Sequence, residues 1–159
     1  PVQSVGLGKV VPTELLPKAQ RAQLATRLEE LGFELIDDHY TQLINQIKSI
    51  IIQQIHHTIA AAPVNFSTLL SEQLHYDYAY LSRLFSTVEG RTIEQFVIAQ
   101  KVERVKELLM YELTLAEIAF QMHYSSSAHL SSQFKKVTGK SPTVFKKMAG
   151  KERRSLDAI

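Results

Sequence analysis

Five residues of this chain recur in one ten-residue pattern: Leu81-Ser82-x-x-Phe85-x-x-Val88-x-Gly90 returns as Leu130-Ser131-x-x-Phe134-x-x-Val137-x-Gly139, always 49 residues on. The match runs forward to Phe96 and Phe145. After a one-residue slip it runs backward from Leu70, Leu74, His75 and Tyr76 to Ile118, Met122, His123 and Tyr124. Apolar residues three and four apart, closed by a glycine, describe a helix with one buried face and a C-terminal stop. Each copy therefore reads as two short helices joined by a tight turn, and a chain built on two such copies is mainly α.

In the first copy Ser67 is the expected cap of a helix holding Leu69, Leu70 and Leu74, and Leu81, Leu84, Phe85 and Val88 turn inward on a helix from about Tyr78 to Val88. Thr92 with Gln95 makes a capping box for a connector of about twenty residues, whose Phe96, Ile98, Val102, Val105 and Leu109 form a buried stripe. Thr114 with Glu117 opens a second box before Ile118, Ala119 and Met122. The run Ser125, Ser126, Ser127 caps the next helix, with Leu130, Phe134 and Val137 inward. Ser141-Pro142 starts a last short helix containing Phe145.

Upstream, Val2, Val5, Leu7, Val10 and Val11 lie among two glycines and end at Pro12, which suits a strand with a turn. Pro17 opens a helix carrying Leu24, Leu28 and Leu31, Gly32 stops it, and Phe33–Ile36 is a short strand ended by Asp37-Asp38. From Tyr40 the spacing Ile44, Ile47, Ile51, Ile55, Ile59, with Leu43 and Ile50 on a second edge, predicts a long helix to about Ala61, stopped by Pro63. The expected organisation is a small α/β region over 1–38, a linking helix over 39–62, a double helix-turn-helix over 63–148 and a basic tail over 149–159. The chain opens Pro1-Val2 with Met110, Met122 and Met148 all internal, so its start is expected to be processed or cut from something longer.

Composition narrows the function. With 45% hydrophobic and 21% charged residues the chain is no disordered tail. It has no cysteine, hence no disulfide, thiolate zinc site or thiol nucleophile, and a cytoplasmic location fits best. Its apolar runs are far short of the roughly 20 residues of a membrane-spanning helix, so no membrane partner is expected. The net charge of +2 is unevenly spread. Residues 1–64 hold five Lys/Arg and six Asp/Glu, residues 65–123 five and eight, and residues 124–159 eight and two, which points the basic end at a polyanion.

Paired helices of this kind have a physical use: the first braces on the phosphate backbone while the outer face of the second reads base edges in the major groove. Two copies on a rigid connector would present two such helices to successive grooves about 34 Å apart on one duplex face. The alternative is a helical protein-interaction module without sequence-specific DNA binding, which the acidic first copy favours.

From about Val64 to Lys147 the chain resembles the DNA-binding domain of AraC-type bacterial transcription regulators. The resemblance rests on Leu81-Ser82-Arg83-Leu84-Phe85 with Gly90, on Ile98-Ala99-Gln100-Lys101-Val102-Glu103-Arg104-Val105 with Leu108-Leu109, and on Leu115-Ala116-Glu117-Ile118-Ala119. Tyr124, Phe134-Lys135-Lys136, Gly139, Ser141-Pro142 and Phe145-Lys146 complete it. It implies a seven-helix fold beginning with the last turn of the Tyr40 helix, binding to double-stranded DNA at promoter sites beside RNA polymerase and the nucleoid, and no catalysis. Two departures stand out: His123 occupies a turn position that usually holds glycine, and the second recognition helix is short of long Arg or Gln side chains. Residues 1–38 are similar to the back half of a ferredoxin-like, heavy-metal-associated domain, whose Cys-x-x-Cys half this chain lacks. A cupin-like barrel is not expected at this length.

The expected DNA contacts follow from these helices. In the first copy Tyr78, Ala79, Ser82 and Arg83 share an outer face. Arg83 suits the O6 and N7 of guanine, against an ordinary ion pair with Glu72 or Glu89, and Tyr80 either joins it or packs on the preceding helix. In the second copy the candidates are Ser127, Ala128, His129, Ser131 and Ser132, with capping as a competing use of Ser127 and packing as a competing use of His129. Lys135, Lys136, Ser141, Thr143 and Lys146 are expected on phosphates, aided by free N–H groups at a helix start. The adjacent His56 and His57 point in different directions on a helix and hold no metal. Glu29-Glu30 and Asp37-Asp38 lack a cleft signature, and no phosphate loop or Gly-x-Ser-x-Gly elbow occurs, so no catalysis and no cofactor are expected. Two strands alone are marginal in water, and a homodimer through residues 1–62 is expected to complete them, with the isoleucine stripe of the long helix adding apolar surface.

Overall fold

The computed structural model describes residues 2–6, 9–12, 16–33, 35, 38–58 and 62–157, the backbone alone at 2–6, 9–12, 38 and 153–157. Residues 1–41 and 42–159 form two units. In the first, β1 (Val2–Gly6) pairs antiparallel with β2 (Lys9–Pro12), Val5 opposite Val10 and Gly6 opposite Lys9, so the expected strand with a turn is a hairpin. Helix α1 (Lys18–Glu30) follows, with Pro17 as its N-cap and no buried residue. Gly32 closes it at φ 77°, its N–H bonding to the carbonyl of Glu29 at 3.0 Å while that of Phe33 bonds to Leu28 at 2.8 Å. This closure overturns the strand expected at Phe33–Ile36. The Phe33 amide is committed to ending the helix and has nothing left for a ladder; neither Phe33 nor Leu35 is in a strand, and Glu34 and Ile36 lie outside the described residues. What is described of residues 1–38 is a hairpin and a helix, without the ferredoxin-like strand order.

The second unit is helical. Helix α2 (Asp38–Ile52), whose first residues belong to the first unit, continues as a π-helical turn over Gln53–His57 and ends at the extended Thr58. The helix therefore stops short of Ala61 and Pro63 does not end it; residues 59–61 lie outside the described residues. Leu43, Ile44, Ile47 and Ile51 are all buried, which places the isoleucine stripe inside this unit's own core and removes it as a dimer surface. Helix α3 (Phe66–Leu74) is capped by Asn65, whose Oδ1 accepts from the N–H groups of Ser67 and Thr68; the expected cap, Ser67, is inside the helix. Helix α4 (Tyr78–Glu89) leads to α5 (Ile93–Leu108), a connector of 16 residues, shorter than expected. Then come α6 (Leu115–Gln121), α7 (Ser127–Thr138) and α8 (Pro142–Asp157). The last helix is not short, and the expected basic tail is helical as far as Asp157.

Both capping boxes form, Thr92 with Gln95 and Thr114 with Glu117, each worth about 1 kcal/mol of helix stability. The connector joins two cores. Ile93 and Phe96 are buried at its start, whereas Val102, Val105 and Leu108 cluster with Ile118, Leu130 and Phe134. Phe85 meets Phe96 edge-on at 5.7 Å, and the repeated pair Phe134 and Phe145 meets in the same way at 5.6 Å. The repeat is thus a repeat of packing, each buried Leu or Phe contributing about 1.5–3 kcal/mol. Three expected core residues differ. Val88 on α4 and Ile98 are only half-buried, and Val137, at the edge of its helix before Gly139, is 47% exposed.

Candidate nucleic-acid interface

Both turns are closed by a histidine in the left-handed region, His75 and His123 each at φ 57°. The residue that departs from the expected glycine therefore adopts the glycine conformation, at a cost of about 1–2 kcal/mol that the surrounding packing offsets. Asp77 and Ser126 precede α4 and α7 as N-caps, and only Ser126 bonds in that role, accepting from the His129 N–H at 3.0 Å. Ser127 is thereby released from capping and lies exposed in the first turn of α7.

The two helices bury the same register, Leu81 and Phe85 on α4 and Leu130 and Phe134 on α7. On α4 this leaves Ala79 and Arg83 exposed and Tyr78, Tyr80 and Ser82 half-buried. On α7 Ser127, Ala128, His129 and Ser132 are exposed and Ser131 is half-buried.

The aromatic residues are committed within the fold. The Tyr78 hydroxyl donates to Glu94 Oε1; burial first, then this carboxylate, pushes the phenol pKa up, and the same bond holds the Glu94 carboxyl below the usual carboxylate range. Tyr80 stacks at 5.3 Å on Tyr76, which lies in the turn after α3, and the Arg83 guanidinium lies 5.8 Å from the Tyr80 ring centre. Glu89, one of the two ion-pair partners weighed for Arg83, instead receives Lys48 at 2.6 Å. His129 sits edge-on to Tyr124 at 5.4 Å with its Nδ1 3.0 Å from Ser125 Oγ, so it packs while remaining on an exposed residue.

At the basic end, Lys135 and Lys136 are exposed in the last turn of α7, and Thr143 and Lys146 in the first turns of α8. Ser141 Oγ accepts from the Val144 N–H at 3.3 Å, so this hydroxyl caps α8. His56 points to Gln100 Oε1 at 3.1 Å and lies 3.5 Å from Glu107, and no group of metal-ligating side chains occurs among the described residues. No described helix is long and apolar enough to cross a membrane.

Sequence reasoning missed Lys101 and Gln133. Lys101 is half-buried on α5, 3.4 Å from the Met122 carbonyl and 5.3 Å from the Tyr124 ring centre, and Tyr124 donates to Gln133 Oε1 at 2.7 Å. The available signal was spacing: Lys101 stands four before Val105 and seven before Leu108, a charge on the buried stripe.

Residues 70–148 match a family profile described as a helix-turn-helix domain. Over 128 residues the chain is 26% identical to the msm operon regulatory protein of Streptococcus mutans, covering 78% of this chain and 44% of that one, so it spans less than half the relative's length. A transcriptional regulator from Chromobacterium violaceum, an AraC-type DNA-binding domain-containing protein, aligns with TM-score 0.59 at 16% identity, covering 69% of this chain and 94% of that one. The DNA-binding domain of AdpA, a global transcriptional factor solved in complex with a target DNA, aligns with TM-score 0.55 at 19% identity, covering 70% and 96%.

Proposed function

We propose that the chain, whose residues 70–148 match a helix-turn-helix domain family, is a transcription regulator of the AraC type that binds double-stranded DNA by sequence. Helices α4 and α7 enter successive major grooves. Arg83, with Ala79 and Ser82, reads bases from the first, and Ser127, Ala128, His129, Ser131 and Ser132 face bases and phosphates from the second. Lys135, Lys136, Thr143, Lys146 and the capped turn at Ser141 hold the phosphate strand and carry no sequence information. Tyr78 and Tyr80 stiffen α4 more than they reach the duplex, because each is engaged inside the first copy. The reading includes no catalytic step; it places the protein in the cytoplasm, at promoters, where RNA polymerase is the neighbouring machinery.

The observation that carries this reading is the shared register: two helices 49 residues apart bury equivalent leucines and phenylalanines and leave equivalent faces to solvent. Titrating the protein with a duplex selected from a random pool, and with random duplex, at two salt concentrations tests it. Selective binding should weaken with salt, log K falling by about 0.9 per phosphate neutralised per unit of log salt. Failure to bind, or binding without preference, would leave the helical protein-interaction module.

We further propose that residues 1–62 form a homodimer through the first unit alone. A two-stranded hairpin followed by a helix with no buried residue, with Leu31 72% and Phe33 66% exposed, is incomplete by itself. Light scattering should report a dimer for the whole chain and a monomer for residues 42–159, the second unit with its core helix intact; a monomeric whole chain excludes the proposal.

A further inference from the structure

Lys101 is the cation of the connector for which the described residues offer no carboxylate partner. Its neighbours on α5 are paired in the ordinary way, Arg104 with Glu107 and Lys106 with Glu103, each through an exposed carboxylate. Lys101 is half-buried, and burial pushes its ammonium below the usual lysine range. A lysine held in such a place costs stability unless its charge is directed at something.

Its surroundings are the turn of the second copy. Helix α6 ends there with the His123 N–H bonded to the Phe120 carbonyl at 3.1 Å and the Tyr124 N–H bonded to Ala119 at 2.8 Å, and Met122 is its C-cap, a position whose carbonyl the helix itself does not satisfy. Lys101 Nζ lies 3.4 Å from that carbonyl and 5.3 Å from the Tyr124 ring centre. From Tyr124 the contacts continue into α7, through its hydroxyl to Gln133 and its ring to His129. One side chain of the connector thus touches the residue that ends α6 and the ring on which α7 rests. In the first copy the equivalent ring, Tyr76, stacks on Tyr80 of its own recognition helix, with Arg83 beside it.

We propose that Lys101 is a positioning residue for the second recognition helix: it fixes the strained Met122-His123-Tyr124 turn to the connector, and so sets the angle at which α7 is offered to DNA without itself touching the duplex. The proposal rests on the DNA-reading function above and adds to it the source of the second copy's geometry. An α7 rich in serine has short side chains, and contacts of that reach need the helix seated to within a fraction of a turn of the groove.

The test compares Lys101→Met, which fills the same half-buried volume without charge, with Lys101→Arg, which keeps a cation over the Tyr124 ring. Amide hydrogen exchange on the full chain without DNA is the first readout. In Lys101→Met the His123 and Tyr124 amides should exchange about ten-fold faster while the His75 and Gly90 amides keep their rates, and Lys101→Arg should restore protection. Sequence selection is the second readout: Lys101→Met should flatten preference in the half-site read by α7 and leave the other half-site intact. Unchanged exchange at the turn, equal acceleration at both turns, or an unchanged preference in both half-sites would each overturn the proposal. If the wild-type chain reads no sequence at all, the function proposed above fails, and the exchange readout still decides whether Lys101 holds the turn.

Discussion

The two helix-turn-helix copies share a core and differ on their surfaces. Phe85 and Phe134 occupy one position 49 residues apart and each meets an equivalent phenylalanine edge-on, yet the outer faces have little in common. The first copy carries Tyr78, Tyr80 and Arg83 and an acidic balance; at the equivalent places the second has Ser127, His129 and Ser132, and it passes directly into Lys135 and Lys136. The lesson is a division of labour. Buried positions answer to packing, which is the same problem in both copies, whereas outer positions answer to whatever approaches from solution. On the function proposed above, the first copy carries the long base-reading side chain, Arg83, while the second reads with short side chains and adds the anchor on phosphates.

The largest effect expected bears on the shared core. Phe85→Ala and Phe134→Ala should each cost about 3–5 kcal/mol, measured by chemical denaturation, and by similar amounts. Costs differing by more than about 2 kcal/mol would break the symmetry of the two cores.

The next bears on the anchor. Replacing Lys135, Lys136 and Lys146 together by Ala should lower the slope of log K against log salt by about 2.7 and weaken selected and random duplexes alike, as three lost phosphate contacts require. An unchanged slope would remove the basic end from the interface.

A smaller effect sharpens the reader. Arg83→Ala should cost about 1–3 kcal/mol on the selected duplex and relax preference at one base position, with Ser132→Ala, its counterpart, costing less. If Arg83→Ala weakens all sequences equally, Arg83 is a backbone contact and the division of labour collapses.

The smallest distinguishes the two capping boxes, since one closes with Gln95 and the other with Glu117. The Thr114 N–H and hydroxyl both donate to Glu117 and hold its carboxyl below its ordinary value of 4.5. A carboxyl depressed in the folded state adds stability that is fully present above its unfolded pKa and is lost as pH falls through the folded one. Acid melting should therefore show Glu117→Gln losing less stability than wild type as the pH is lowered from about 4.5, while Gln95→Ala leaves the pH dependence unchanged. Parallel acid profiles for wild type and Glu117→Gln would show that the second box carries no titrating contribution.

Much of this was legible in the residues themselves. Both boxes, the glycine stops at Gly32, Gly90 and Gly139 and the inward Leu81, Phe85, Leu130 and Phe134 are local or periodic signals, written in side chains three or four apart. The misses share a cause. The cap of α3 fell on Asn65 because two suitable oxygens compete within three residues and only the chain's approach to the helix selects one. Phe33–Ile36 has a β-like composition, but a strand needs a partner, and Gly32 turned the Phe33 amide back onto α1. The isoleucine stripe was correctly apolar, and nothing in its period said whether a partner chain or the chain's own helices would cover it.

What the sequence determined by itself is the helical register, the ends of most helices and the repeat, because these depend on neighbours within one or two turns. Tertiary structure alone decided which outward side chains are free and which are already engaged. Tyr78 bonds to Glu94, Tyr80 stacks on Tyr76, His129 rests on Tyr124 and Lys101 reaches the Met122 carbonyl. For Lys101 that pairing joins positions 21 residues apart. Such contacts have no period along the chain, and they form only when packing brings two surfaces within about 3–6 Å, a distance that sequence spacing does not encode.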